Sequence, residues 1–199
     1  PEIATVNSHG LVTGLTGGFA RFVFTSDNGC ISDPTSWLTV HDKPQTFFTG
    51  SISICQQSQS QILPLSGGLW QSSRPTIASI NDSGIITGLQ AGNTKFVFTD
   101  LITGCRSDST DIFTVYEVPS VTLTGPSTIC VGQNTSLTPT SGGEWISLTP
   151  SIAGVNINGQ VNGLTAGVAN FRFTQFSTGC SVDFFNQVTV NPRPVTAVS

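Results

Sequence analysis

Apolar and polar side chains alternate in short stretches along this chain, and no stretch sustains a helical period. Phe96 and Phe98 flank Val97, and Phe171 and Phe173 flank Arg172. Phe113 and Val115 alternate with Ile112 and Thr114, and Val188 and Val190 hold the matching places later on. A period of two puts such residues on one face of a half-buried strand. Turn signals lie between the stretches: DSG at 82–84, AGN at 91–93, NG at 158–159, and TG just before Cys105 and Cys180. Many short strands punctuated this regularly predict an all-β fold.

The pattern recurs. FVFTSDNGC ends at Cys30, FVFTDLITGC at Cys105 and FRFTQFSTGC at Cys180, so the intervals are 105 − 30 = 75 and 180 − 105 = 75. Cys55 and Cys130 are also 75 apart, as are Trp70 and Trp145. The string PxIAxxNxxGxxxGL begins at Pro1, Pro75 and Pro150; its first interval is 74 because TSDNGC is one residue shorter than TDLITGC. A fixed period of this size marks an array of structural modules, here small antiparallel β-sandwiches of about 75 residues each. Proline follows a strong strand at KPQ (43–45), VPS (118–120) and RPV (193–195). It suits an edge or a linker there, because it cannot continue a central ladder. This phase predicts the C-terminal part of a preceding repeat at 1–44, whole repeats at 45–119 and 120–194, and the start of another at 195–199. The chain is expected to be a window on a longer array.

Composition narrows the function. Only 9% of the residues are charged and the formal net charge is −4. Nucleic acid needs clustered Lys and Arg, and docking on an anionic membrane needs basic patches; neither partner is expected. Disorder is disfavoured by a mean hydropathy of +0.14 and 13 phenylalanines. No apolar run approaches the roughly 18 residues that span a bilayer, so no membrane insertion is expected.

Five cysteines without a CxxC pair, and with His9 and His41 away from any cysteine pair, favour disulfides in an oxidising compartment over zinc. Two pairings fit the count. Cys55–Cys105 with Cys130–Cys180 would staple each repeat to itself, closing loops worth ~4 kcal/mol each in the chain-entropy model. Cys30–Cys55 with Cys105–Cys130 would join neighbours instead, and each scheme leaves one cysteine over. The first keeps every repeat self-contained and is the one expected. No histidine recurs beside a cysteine, so a catalytic thiol lacks its base. No enzyme and no cofactor are expected.

Three tryptophans invite comparison. Trp70 and Trp145 follow paired glycines; a sugar-stacking platform is one reading, and a core residue between sheets is the better one. Trp37 aligns with Ile112 and Gln187, out of phase with the inward positions, and is a candidate surface contact. Calcium wants six to eight oxygens. Asp100, Asp108 and Asp111 lie near one turn, but Ser36 and Asn186 replace Asp111 in the other copies, so no metal site is expected.

The features ICVG (129–132), GGEW (142–145), PSIAGVN (150–156), GQVNGLTAG (159–167) and TGC (178–180) resemble the bacterial Ig-like, group-2-like repeats of Bacteroidota surface proteins. The likeness covers essentially the whole chain, is closest to the SprB-type gliding-motility adhesins of flavobacteria, and implies that the modules are tandem Ig-like antiparallel β-sandwich repeats of about 75 residues. It implies a very long, exported adhesin at the cell surface, outer-membrane-associated, delivered by type IX secretion and engaging the motility machinery through regions outside these residues. It also implies contact with external surfaces or polysaccharide, and it marks Ser109, within Asp108-Ser109-Thr110, as a candidate O-glycosylation site. The middle repeat departs from the pattern: ICQQSQSQ (54–61) lacks the glycine found at Gly132, and an altered turn is expected. Two functions follow. One is a stiff, filamentous, disulfide-stapled stalk whose partners include its own neighbouring repeats. The other is an array of specific carbohydrate-binding modules.

Overall fold

A computed structural model of the chain describes residues 2–195. Strands and turns account for its regular structure, and there is no helix among the described residues. Within 120–194, one four-stranded sheet runs in the order Thr122–Leu123, Asn134–Thr138, Gln160–Gly163, Ala153–Val155. The other runs Thr128–Cys130, Ser181–Asn191, Gly167–Gln175, Gly143–Ser147. All neighbours are antiparallel except Thr128–Cys130, which lies parallel to the end of Ser181–Asn191. Residues 45–119 repeat this layout with Phe47–Phe48, Gln59–Leu63, Ile85–Gly88 and Ala78–Ile80 in one sheet. Ser53–Cys55, Phe113–Tyr116, Gly92–Thr94, Phe96–Asp100 and Gly68–Ser72 make the facing layer. This is the strand order of a constant-type immunoglobulin sandwich with one added parallel edge strand. The chain is an all-β tandem of Ig-like sandwiches.

Each sandwich holds its own core. Phe171, Phe173, Val188 and Val190 face Leu137, Ala153 and Val161 across the layers of the last repeat, all essentially inaccessible to water. Phe96, Phe98, Phe113 and Val115 do the same against Ile62, Ala78 and Ile86 in the middle one. Each of these Phe, Val, Leu and Ile side chains contributes roughly 1.5–3 kcal/mol by burial. Trp70 and Trp145 are core residues. Their rings lie 5.1 Å from Phe98 and Phe173, tilted by 59° and 52°. Their indole N–H groups donate to the Pro64 and Pro139 carbonyls at 3.0 and 2.8 Å. With Trp70 7% and Trp145 3% exposed and the polar edge of each bonded, no sugar could stack there.

The recurring PxIAxxNxxGxxxGL string is a folding device. Asn7, Asn81 and Asn156 each accept two backbone N–H bonds, from the residues two and four places on, at 2.9–3.1 Å. The tight turn so formed needs a left-handed residue, supplied by Gly84 (φ +69°) and Gly159 (φ +77°). A Cβ on either would lie 2.0 or 2.3 Å from a carbonyl oxygen of the adjacent strand.

Two details set the middle repeat apart. Gln57 occupies the place of Gly132, yet the turn is unaltered: Gln57 adopts φ +66° where Gly132 has +84°. Its N–H reaches the Gly88 carbonyl at 2.8 Å, as that of Gly132 reaches Gly163 at 2.7 Å. The backbone bonds on both sides outweigh the side chain's preference against this conformation. The second detail concerns the last strand. In the final repeat Ser181–Asn191 is continuous and pairs along Gly167–Gln175. In the middle repeat the matching stretch lets hydroxyls stand in for backbone. Phe98 N–H donates to Ser107 Oγ and Phe96 N–H to Thr110 Oγ1, both at 3.0 Å. The Ser107 and Thr110 N–H groups return bonds to the Phe98 and Phe96 carbonyls. Ser32 and Thr35 serve Phe24 and Phe22 in the same way. SDPT and SDST carry this spacing, whereas VDFF at 182–185 does not.

Among the described residues before 45 there are two strand pairs, Ala4–Val6 with Val12–Gly14 and Gly18–Ala20 with Leu38–Val40, and an isolated bridge between Thr25 and Ile31. Phe24, which holds the place of buried Phe98, is 71% exposed there because no facing strands cover it, whereas Phe19 is 67% exposed on the outer face, at the place of Asn93 and Val168. An open apolar groove of about 470 Å³ lies along Val6, Val12, Phe22 and Phe24.

Candidate functional site

The chemistry of this chain is concentrated where one repeat meets the next. Cys55 is bonded to Cys180, with a Cα–Cα distance of 5.7 Å and a sequence separation of 125. The expected pairs Cys55–Cys105 and Cys130–Cys180 are not formed, and neither are Cys30–Cys55 and Cys105–Cys130; Cys30, Cys105 and Cys130 are free thiols.

Strand direction explains the correction. Cys130 sits opposite Asn191, at the far end of the last strand, and Cys180 immediately precedes the start of that strand. The two are separated by 191 − 180 = 11 positions of extended chain, which is ~36 Å at the usual rise. A disulfide needs Cα atoms within roughly 7 Å. Cys55 sits opposite Tyr116, again 116 − 105 = 11 positions from Cys105. A bridge within either repeat is therefore excluded by the length of the sandwich. End-to-end stacking brings the lower end of one repeat, at Cys55, against the upper hairpin of the next, at Cys180.

The hairpin that presents the cysteine is rigid and the same each time. Gln175 N–H donates to the Cys180 carbonyl and Gly179 N–H to Gln175, both at 2.9 Å; Asp100, Cys105 and Gly104 repeat these bonds at 2.9 Å. The lower end is equally constant: Gln56 N–H binds the Tyr116 carbonyl and Val131 N–H the Asn191 carbonyl, at 2.9 and 3.0 Å. Cys180 is fully buried and Cys55 half-buried. Gln56 also accepts from the Val118 N–H at 3.2 Å, tying the linker to the repeat above it. Glu117, Pro119 and Ser120 then face Gln175 and Thr178 across a small cleft.

The upstream junction brings its linker to the same end of a repeat. Lys43, in the preceding linker, pairs with Asp108 just beyond the Cys105 hairpin. Both groups are exposed, and such a pair adds at most ~1 kcal/mol. Asp100, which anchors that hairpin, is held below its ordinary pKa by the Thr103 N–H and hydroxyl, helped by the Ile102 N–H and by nearby His41. In the last repeat Arg172 and Asp183 pair instead, side by side on neighbouring strands, with Nη2 to Oδ2 at 2.9 Å. Hydrogen bonding to Arg172 holds the Asp183 carboxyl below its usual range.

The remaining candidates fall elsewhere. Trp37 is 63% exposed and carries Arg21 over its ring at 4.9 Å, with Phe19 beside it. Ser109 is exposed, whereas Thr110 is buried and engaged with Phe96. Among the described residues no three His, Cys, Asp or Glu side chains gather as a metal site would require.

No protein-family model and no curated protein matches the chain. Among solved structures, it overlays on a C-terminal 282-residue fragment of intimin in complex with the intimin-binding domain of its translocated receptor. That match has 10% identity and a TM-score of 0.45, over 76% of this chain and 65% of that one. Invasin, a bacterial integrin-binding protein, gives 16% identity and 0.44, over 90% and 46%. Domains 1–6 of the surface-layer protein SbsC give 16% and 0.33, over 98% and 35%. The chain thus spans between about a third and two thirds of these structures. The overlays are too loose to carry an argument, and the fold stands on the strand registers above.

Proposed function

We propose that this chain is a segment of a stiff, non-enzymatic stalk in a long cell-surface adhesin. The observation that carries the reading is the Cys55–Cys180 bond, which locks one sandwich to the next across a linker too short to act as a tether. A structural disulfide belongs to an oxidising compartment, which supports an extracellular place. A skin poor in charge and rich in Ser and Thr suits a surface that stays soluble while exposed. Repetition spreads weak contacts along a shaft, and multivalency turns them into firm attachment. The finer reading, a gliding adhesin of the SprB type exported by type IX secretion and held at the outer membrane, rests on the sequence resemblance alone. Beads coated with antibody against this chain test it on live cells. Beads that bind and travel along the cell support it; beads that never bind overturn the surface location, and bound beads that never move overturn the motility role.

One observation favours carbohydrate binding as a second reading: the exposed Trp37–Phe19 pair could stack on a sugar ring. A glycan array with the intact chain and its Trp37→Ala variant tests this. Saturable binding lost in the variant would favour the module reading over the stalk.

A further inference from the structure

The three free thiols are not scattered. Cys105 occupies, in its repeat, the place that Cys180 occupies in the next, with the same hairpin bonds around it. Cys130 occupies the place of Cys55, with the same edge-strand pairing. Both linkers reach the same end of the repeat that follows the junction: Lys43 pairs with Asp108 and His41 lies near Asp100 at the Cys105 hairpin, and Val118 to Ser120 lie against Gln175 and Thr178 at the Cys180 hairpin. Moving the observed bond along by one period of 75 carries Cys55 onto Cys130, and carries Cys180 onto the place that a hairpin cysteine would hold in a tandem repeat 75 positions on. Moving it back by one period carries Cys180 onto Cys105.

We propose that, wherever these repeats continue in tandem, every edge-strand cysteine is bonded to the hairpin cysteine of the following repeat, so that the array is an interlocked covalent ladder. Cys105 takes its partner from the repeat before, and Cys130 from the repeat after. The bonds form by two exchanges with an external disulfide such as oxidised glutathione. The Cys130 thiolate attacks one glutathione sulfur and expels the other as a thiolate. The thiolate of the following repeat's hairpin cysteine then attacks the protein-bound sulfur and expels the second. One S–S bond is made and one broken; the two protons lost by the protein end on the two glutathiones, which carry away two electrons.

The ladder has a mechanical consequence. Each bond spans 125 positions but recurs every 75, so consecutive bonds overlap by 125 − 75 = 50 positions. Two covalent routes therefore run side by side, offset by one repeat. Along each route the only free chain is the stretch from a hairpin cysteine to the next edge cysteine, as from Cys105 to Cys130, 25 positions. Fully stretched, that is ~85 Å. In the fold it already runs the length of two sandwiches, ~70 Å from the eleven-position strands that set their height. Tension can lengthen the shaft by only about a fifth before covalent bonds take the load, and one broken bond leaves the second route intact.

The inference rests on the repeats being in tandem, not on what they adhere to, so its failure would leave the adhesion reading standing. The test is a longer chain, this one joined after Ser199 to a further copy of residues 125–194, refolded with oxidised and reduced glutathione and mapped by non-reducing digestion and mass spectrometry. The expected result is two bonds, Cys55–Cys180 and Cys130 to the added copy of Cys180, with three thiols still free. Cys130 found with its own Cys180, with Cys105, or unpaired while Cys55–Cys180 forms, would overturn the ladder. A Cys55→Ser version isolates the second bond: it is expected to keep Cys130 linked to the added copy, and Cys130–Cys180 in its place would also overturn the proposal.

Discussion

Pulling the chain by its ends gives the sharpest reading of the observed bond. Between Cys55 and Cys180 lie 180 − 55 − 1 = 124 residues, and the bond holds their ends 5.7 Å apart at the Cα atoms. While it is intact, unfolding both whole repeats cannot release that length. Reduction should add about 430 Å to the final contour, at ~3.5 Å per extended residue. Single-molecule force spectroscopy with and without a thiol reductant reads this directly, and Cys180→Ser should give the long contour without reductant. Pairs within repeats would hide 49 residues in each of two loops, 98 in all, and reduction would then add only ~340 Å. That shorter gain, or none, would refute the end-to-end geometry. The same bond should matter at equilibrium: closing a loop this long is worth ~5 kcal/mol in the chain-entropy model, so denaturant midpoints should fall markedly on reduction.

Other expectations follow from single residues. Trp145→Phe should cost the last repeat about 2–3 kcal/mol, because it removes buried volume and leaves the Pro139 carbonyl without its donor, as chemical denaturation would register. Gln57→Gly should raise the stability of the middle repeat by ~0.5 kcal/mol, the relief of a left-handed non-glycine residue less the added freedom of glycine when unfolded; a lower melting midpoint would contradict this. Asn156→Ala should lose two turn bonds and cost ~1–2 kcal/mol, seen as an earlier unfolding transition. Asp183 titrates below its ordinary value when folded. Its pairing with Arg172 therefore stabilises at neutral pH and is lost as pH falls through that lowered value. Asp183→Asn should flatten the acid limb of stability against pH below about 4, measured by denaturation at stepped pH.

Much of the fold is local and so was legible. Alternation at Phe96 and Phe98, and at Phe171 and Phe173, carries its own face assignment, because successive strand side chains point to opposite sides. The Ser-x-x-Thr spacing of SDPT and SDST also carried a signal, hydroxyls bonding back to the preceding strand, but it emerges only once the partner strand is known. The turn at Gln57 misled, since a residue-type preference of about a kcal/mol yields to backbone bonds fixed by the neighbouring strands.

The sequence by itself determined the period, the all-β character, the core faces and the turns, since each depends on residues a few places apart. Only the tertiary structure decided which cysteines meet. Equal spacing is blind to direction: it places Cys130 and Cys180 in one repeat, and cannot say that they stand at opposite ends of an eleven-position strand. The stacking of rigid sandwiches, end on end, brings Cys55 and Cys180 within bonding distance.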